Sequence, residues 1–329
     1  MDFAKGGVRL NWLTSDFVRQ HLPLVASELQ SAAEEAGPAA EPICSHLFRA
    51  GGKRLRPALV LLAAEYGRPE LAPRAVLAGA VIELAHIASL YHDDVLDRAL
   101  TRRSRPSVNA TWGNRPAVAA GCFLVSVAAR RGAVLGDAIN RAVSETVQTI
   151  WNGQMLQIAE AGRLDISEER LLDIAERKTA ALFELSVRVG ALAADARPEI
   201  LEILVRYGRL LGVAFQLADD VLDIVGDEST LGKQPGDDLR QGVYTLPVVD
   251  TLRDRAPGGN QLRAMLAAKD IDGCLHLLRG NASLQLTLAK AHGFVKEAQE
   301  ALAELPSGEA KASLGGLAGY VVGRVEMLV

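Results

Sequence analysis

The pentapeptide Asp93-Asp94-Val95-Leu96-Asp97 recurs letter for letter as Asp219-Asp220-Val221-Leu222-Asp223. Each copy closes a long apolar stretch, Ala75 to Tyr91 in the first case and Leu210 to Ala218 in the second. Runs this apolar belong in a core, so each copy sets its acids at the mouth of a buried region. Carboxylates gathered there need compensating positive charge, because an unpaired buried ion is strongly destabilising. On a helix, residues i and i+4 share a face and i+1 lies about 100° round. Asp93 with Asp97, and Asp219 with Asp223, are therefore expected to project together, with Asp94 and Asp220 on the flank. A single motif of this kind reads equally well as a solvated helix end. Two identical copies behind apolar runs argue against that reading.

The chemistry of the acids narrows the counter-ion. Hard oxygen ligands without nearby cysteine pairs favour Mg²⁺ over Zn²⁺. Mg²⁺ keeps part of its water shell and shares the rest with substrate phosphates, so a phosphorylated ligand is implied as well. The three cysteines, Cys44, Cys122 and Cys274, have no metal-ligand spacing and suit a reducing, cytoplasmic setting.

Ala and Leu dominate, β-branched alternation is scarce, and most prolines fall between helix-periodic stretches, which reads as all-α. There is no Gly-rich strand-to-helix turn of the dinucleotide or P-loop kind. A net charge of −4 does not suggest general nucleic-acid binding. The N-terminal segment carries Asp2 and lacks a clean apolar core, so no signal peptide is expected. The most apolar windows are interrupted by Glu83 and His86, or by Arg206 and Arg209, and read as core helices rather than transmembrane spans.

The periodicity predicts an amphipathic entry helix around Ser15 to Glu35 and a helix over 41–50. A basic turn, Gly51-Gly52-Lys53-Arg54-Leu55-Arg56-Pro57, precedes a helix over 58–66, and the first acid-bearing helix covers 74–97. Residues 101–106 form a basic loop, followed by helices over 115–131, 133–161, 168–190 and 198–225. Residues 226–243 are loop, and helices resume from about Leu246 with breaks near Pro257, Gly280 and Pro306. One domain is expected over 1–329, with residues 1–40 as an N-terminal helical extension.

Two diphosphates need cations beyond the metal. Lys53 and Arg56 lie in the first basic turn, Arg102 and Arg103 just past the first acid motif, Lys178 in an otherwise apolar helix, and Lys233 beyond the second motif. Each alone reads as a solvated charge. As a set bracketing the acids they read as phosphate ligands, Arg by its planar fork and Lys as a movable point charge. His86 lies seven residues before Asp93 and so shares roughly its face.

In this order these residues resemble the trans-type polyprenyl diphosphate synthases, the head-to-tail isoprenyl chain-elongating enzymes. The likeness runs from about Pro42 onward. It rests on Gly-Gly-Lys-Arg-Leu-Arg-Pro at 51–57, Glu83-Leu84-Ala85-His86 running into His92-Asp93-Asp94, and Arg102-Arg103. It continues with Lys178-Thr179-Ala180, Phe215-Gln216-Leu217-Ala218-Asp219-Asp220, Gly232-Lys233, Gly236-Asp237-Asp238-Leu239 and Thr245-Leu246-Pro247. The resemblance implies a helical bundle around a deep central cavity, usually a homodimer, and a prenyltransferase joining isopentenyl diphosphate to an allylic diphosphate. It implies three Mg²⁺ ions between the two acid motifs, with Asp93, Asp94, Asp97, Asp219, Asp220 and Asp223 as ligands. It assigns Arg102, Lys178 and Lys233 to the allylic diphosphate and Lys53, Arg56, His86 and Arg103 to isopentenyl diphosphate. Thr179 and Gln216 would face the developing allylic cation.

The chain departs from the family pattern in places. Val243 stands where a second basic residue is frequent, Cys122 and Gln154 replace acids, and Ser104-Arg105-Pro106 replaces Gly-Lys-Pro. Ala88 and Ser89 lie five and four positions before Asp93, where short-chain members close the floor with an aromatic. Two small residues imply a product above C20, in the C30 to C50 range, unless Ile82 or Phe123 closes the tunnel to give C20. A terpene cyclase shares the Asp-rich site but needs no isopentenyl subsite, against which the basic turn and Arg102-Arg103 argue. A partner subunit of a heteromeric synthase would have degraded acid motifs, and both are whole here.

Overall fold

The structure, a computed structural model, describes residues 11–227, 234–253, 257–326 and 328. It is all-α apart from one two-residue ladder. The helices are α1 (Asp16–Glu34), α2 (Glu41–Cys44), α3 (His46–Arg49), α4 (Leu55–Ala64), α5 (Ala72–Leu96), α6 (Val108–Trp112), α7 (Asn114–Val134), α8 (Asp137–Glu160), α9 (Glu168–Ala175), α10 (Ala181–Ala193) and α11 (Pro198–Val225). They continue as α12 (Asp237–Gln241), α13 (Leu246–Arg253), α14 (Pro257–Ala268), α15 (Ile271–Arg279), α16 (Ala282–Ala301) and α17 (Glu309–Glu326). The ladder joins β1 (Thr101–Arg102) to β2 (Arg105–Pro106), antiparallel, with Thr101 opposite Pro106.

Two compact units emerge. The first comprises residues 1–148, 182–208 and 301–317, the second 149–181, 209–300 and 318–329.

In the first unit, α5 is the central element. It buries residues on every side, Val81, Ile82, Leu84, Ile87 and Tyr91 among them, and packs against α1, α4 and α7. Burying each large aliphatic side chain contributes about 1.5–3 kcal/mol. Pro73 stands in its first turn, where the missing N–H costs no hydrogen bond. Tyr91 Oη donates to Ile43 O at 2.8 Å and so ties α5 to the α2–α3 corner. At the entry to α1, Ser15 caps the helix through Val18 N, and Ser313 Oγ accepts from Ser15 N at 3.1 Å. The Pro69–Leu96 stretch and α7 are long and apolar enough to cross a membrane. The first is 67% buried over its most apolar window and α7 44%, so the first is covered by protein and α7 only in part.

The second unit is built on the C-terminal half of α11, which buries Leu210, Leu211, Val213, Ala214, Leu217, Val221 and Ile224. Ile166, Ile174 and Val249 form a core cluster under α9 and α13, with Leu156, Leu171 and Tyr244 against it. Gly162 N–H donates to Gly242 O at 2.8 Å, joining the turn after α8 to the turn after α12.

Several elements differ from the sequence reading. The helix expected over 41–50 breaks at Ser45 into α2 and α3. The basic loop at 101–106 is a hairpin. Arg103 and Ser104 both take positive φ, 54° and 58°, as a two-residue turn matching strand twist demands. The stretch 168–190 is interrupted by a π-helical turn, Glu176–Ala180. The loop at 226–243 contains α12, capped by Gly236 at φ 75°.

Candidate active site

The first unit carries the isopentenyl half of the expected site. Gly51 and Gly52 have φ of 83° and 126°, and Arg54 sits at φ 48° as the residue before α4. That backbone folds the basic turn tightly enough that a Cβ on Gly52 would stand 2.9 Å from Arg103 Cζ. Arg103 is pinned from the hairpin, donating to Leu47 O at 2.9 Å and Gly51 O at 2.5 Å. Arg54 donates to Glu83 Oε1 at 2.5 Å and Phe48 O at 2.8 Å. Glu83, 2% exposed, thus fixes Arg54 and lies 4.0 Å from Arg103. Neither Arg54 nor Glu83 is among the site residues expected from the sequence. The signal was an acid in the apolar part of a buried helix, which demands a cation.

Arg56 stands 3.1 Å from His86 Nε2 and 4.9 Å from the centre of the Phe183 ring. Since guanidinium can only donate, His86 Nε2 accepts and the imidazole is neutral. Burial, then the charge of Arg56, holds its pKa well below the usual histidine range. Arg103 also lies near enough to His86 for its charge to lower the imidazole pKa. Lys53 lies half-buried in the same turn.

At the end of α5, Asp94 is fully buried, whereas the sequence placed it on the flank of the Asp93–Asp97 stripe. Arg102 holds its Oδ1 by Nε at 2.8 Å and by a second guanidinium nitrogen at 2.6 Å. Asp94 Oδ2 is buried with no hydrogen-bond partner among the described residues. Burial raises the pKa of Asp94, and Arg102 offsets this only in part. Asp93 and Asp97 are half-buried, Asp97 lying one residue past the helix as its cap. Ala88 is fully buried, and Ser89 Oγ turns back to His86 O at 2.8 Å.

The second unit carries the other acid motif. Gln216 is held at both ends of its amide: Oε1 accepts from Thr179 Oγ1 at 2.5 Å, and Nε2 donates to Asp220 Oδ1 at 2.7 Å. Burial, and then Asp238 nearby, push the Asp220 carboxyl well above the usual range. Asp223 Oδ2 accepts from Asp238 N at 3.2 Å, fastening the start of α12. Asp219 pairs with Arg324 of α17 at 3.2 Å, and that guanidinium lies 4.4 Å from the centre of the Phe215 ring. Arg324 was not foreseen, since a basic residue in a terminal helix carries no distinguishing signal. Lys178 Nζ donates to Gln157 Oε1 at 2.9 Å. Lys233 lies outside the described residues.

These acids suit a divalent cation shared with phosphate. In the first unit Asp94 keeps a buried oxygen without a partner, and in the second Asp220 is a buried acid beside further acids; cations bound in each unit would answer these. Among the described residues no three His, Cys, Asp or Glu side chains form a ready-made metal cage.

Residues 38–275 match the family model described as polyprenyl synthetase. The chain belongs to the polyprenyl synthetase family. Both acid motifs and both basic clusters of this polyprenyl synthetase lie inside the matched span; Arg324 lies outside it. It is 38% identical over 284 residues to the nonaprenyl diphosphate synthase of Mycobacterium tuberculosis, covering 85% of each chain. It is 36% identical over 314 residues to heptaprenyl diphosphate synthase component 2 of Geobacillus stearothermophilus, covering 93% of this chain and 96% of that one. Among solved structures it resembles the polyprenyl synthase of Caulobacter crescentus, which was crystallised with calcium and isoprenyl diphosphate. The TM-score is 0.90 at 30% identity, over 96% of this chain and 98% of that one. As a polyprenyl synthetase the chain is a prenyltransferase, with the all-α fold of the isoprenyl diphosphate synthases.

Proposed function

We propose that this polyprenyl synthetase condenses isopentenyl diphosphate head-to-tail with an allylic diphosphate and releases a trans-polyprenyl diphosphate longer than C20. The observation that carries the reading is the pairing of a buried, half-satisfied Asp94 with a preformed Arg56–His86–Arg103 cluster in one unit. A cyclase has no use for the second, cationic subsite.

Arg56, Arg103 and Lys53 bind the isopentenyl diphosphate as cations, and neutral His86 adds a hydrogen bond without a charge of its own. Lys178, Arg102 and Lys233 hold the allylic diphosphate. Asp93, Asp94, Asp97, Asp219, Asp220 and Asp223 would hold Mg²⁺, three ions when the diphosphate is bound. The metal's contribution is to stabilise charge developing on the leaving diphosphate. Thr179 and Gln216 keep their oxygens on the side where the allylic cation forms. The isopentenyl double bond attacks that cation, a carbon–carbon bond forms, and the released pyrophosphate takes the proton.

The long product is supported by the small side chains of Ala88 and Ser89 ahead of the first acid motif. Relatives named for nonaprenyl and heptaprenyl products agree with it. The two units act as one synthase domain in this reading, since the family match runs through both. We further propose a cytoplasmic homodimer. Its support is a stripe on α7, Val118, Cys122, Val125, Ala129 and Ala133, apolar or small and exposed or half-exposed at helical spacing.

The test is product analysis of the purified chain with Mg²⁺, farnesyl diphosphate and labelled isopentenyl diphosphate. Chains above C20 are expected, and a single C20 product would refute the length. Ala88→Phe is expected to shorten the product; unchanged length would displace the floor from Ala88. The name "component 2" of one relative favours a second reading, a catalytic subunit needing a partner. Turnover by the purified chain alone rules that out.

A further inference from the structure

Lys178 does not sit in ordinary helix. In the π-helical turn Glu176–Ala180, Ala181 N–H reaches back five residues to Glu176 O. Turns of this kind insert one extra residue into a helix and occur frequently at functional sites. Helix α8 lies directly against this one. Gly153 makes the approach possible, since a Cβ there would stand 2.8 Å from Lys178 N and 2.8 Å from Arg177 Cβ. Four residues further on, and so on the same face of α8, Gln157 Oε1 accepts from Lys178 Nζ at 2.9 Å. The next residue, Thr179, is fixed through Gln216 to Asp220. Two glutamines thus hold two consecutive residues of the turn.

The identity of the partner matters. An ammonium has three donors, and one is directed to Gln157. A carboxylate in the same place would make the same contact but cancel most of the charge at short range. An amide oxygen orients the ammonium and leaves its charge intact.

We propose that Gln157 is a positioning residue for the allylic substrate: it aims the Lys178 ammonium at the diphosphate while remaining neutral. This rests on the reading that Lys178 holds that diphosphate, and it adds a residue on another helix to which no role is otherwise assigned. Gln157 acts through Lys178 and does not touch substrate.

The experiment measures KM for each substrate separately in Gln157→Glu, Gln157→Met and Lys178→Ala, with thermal unfolding as a check on folding. Gln157→Glu keeps shape and acceptor and adds only charge. It is expected to raise the allylic KM about tenfold while the isopentenyl KM stays within about twofold. Gln157→Met keeps bulk and frees the ammonium, with a smaller rise confined to the same substrate. If both substrates' KM values rise together, Gln157 is only packing and the proposal fails. If the allylic KM stays put in both Gln157 variants but rises in Lys178→Ala, the proposal fails while the reading of Lys178 stands. If Lys178→Ala itself leaves the allylic KM unchanged, the reading of Lys178 fails and takes the proposal with it.

Discussion

At the residue scale, the site is organised by side chains that are not themselves substrate ligands. Glu83 is the centre of the basic turn, a buried acid shared by Arg54 and, at longer range, Arg103. Removing its charge leaves Arg54 uncompensated where its side chain is only 10% exposed. Glu83→Gln is expected to cost about 3–5 kcal/mol of stability, read from denaturant unfolding, and to weaken isopentenyl diphosphate binding more than allylic binding. His86 makes a second forecast. Its folded pKa is depressed, by burial first and then by Arg56. An unfolded histidine takes up a proton near pH 6.5 while the folded one does not, so this group makes stability fall as pH drops below about 6.5. The fall continues down to the folded pKa. His86→Gln is expected to flatten that part of the curve, measured as melting temperature at stepwise pH between about 5 and 7.5.

At the element scale, the long helices were legible and the joints were not. The prediction of 198–225 coincides with α11, and 74–97 differs from α5 by two residues at its start and one at its end, because apolar periodicity and Pro73 or Pro198 mark these helices plainly. The π-helical turn at Glu176–Ala180 was invisible, since the phase shift of about 100° from one inserted residue shows only when the apolar stripes on either side are compared over several turns. The break at Ser45 and the short α12 escaped for a related reason: both are fixed by contacts far along the chain, such as Tyr91 Oη on Ile43 O and Asp238 N on Asp223. The acid motifs themselves were found from spacing, whereas the burial of Asp94 rather than Asp93 depends on how α5 is rotated in its unit. Gly153→Ala belongs to this scale. The added methyl meets backbone at 2.8 Å and must push α8 from the turn. A loss of about 1–3 kcal/mol in unfolding experiments, and a raised allylic KM, are expected.

At the scale of the whole molecule, the prominent unpartnered surface in the first unit is that of α7. Val118 is 42% exposed, on a helix only partly covered by its own unit. The proposed dimer covers this stripe. Placing charges on it by Val118→Glu with Ala129→Glu is expected to give a monomer by light scattering, with the helical signal of circular dichroism retained. A mass unchanged from that of the parent chain would remove α7 from the interface.

Each acid motif carries an arginine of its own, Arg102 on Asp94 and Arg324 on Asp219. A bare cation must share its carboxylate with a guanidinium, entering at Asp94 through the oxygen that Arg102 leaves open, while a diphosphate offers that guanidinium an anion of its own. Metal and diphosphate should therefore bind with positive cooperativity, each raising the affinity of the other by the same factor. In calorimetry, Mg²⁺ titrated alone is expected to bind weakly, and titrated in the presence of pyrophosphate, tightly.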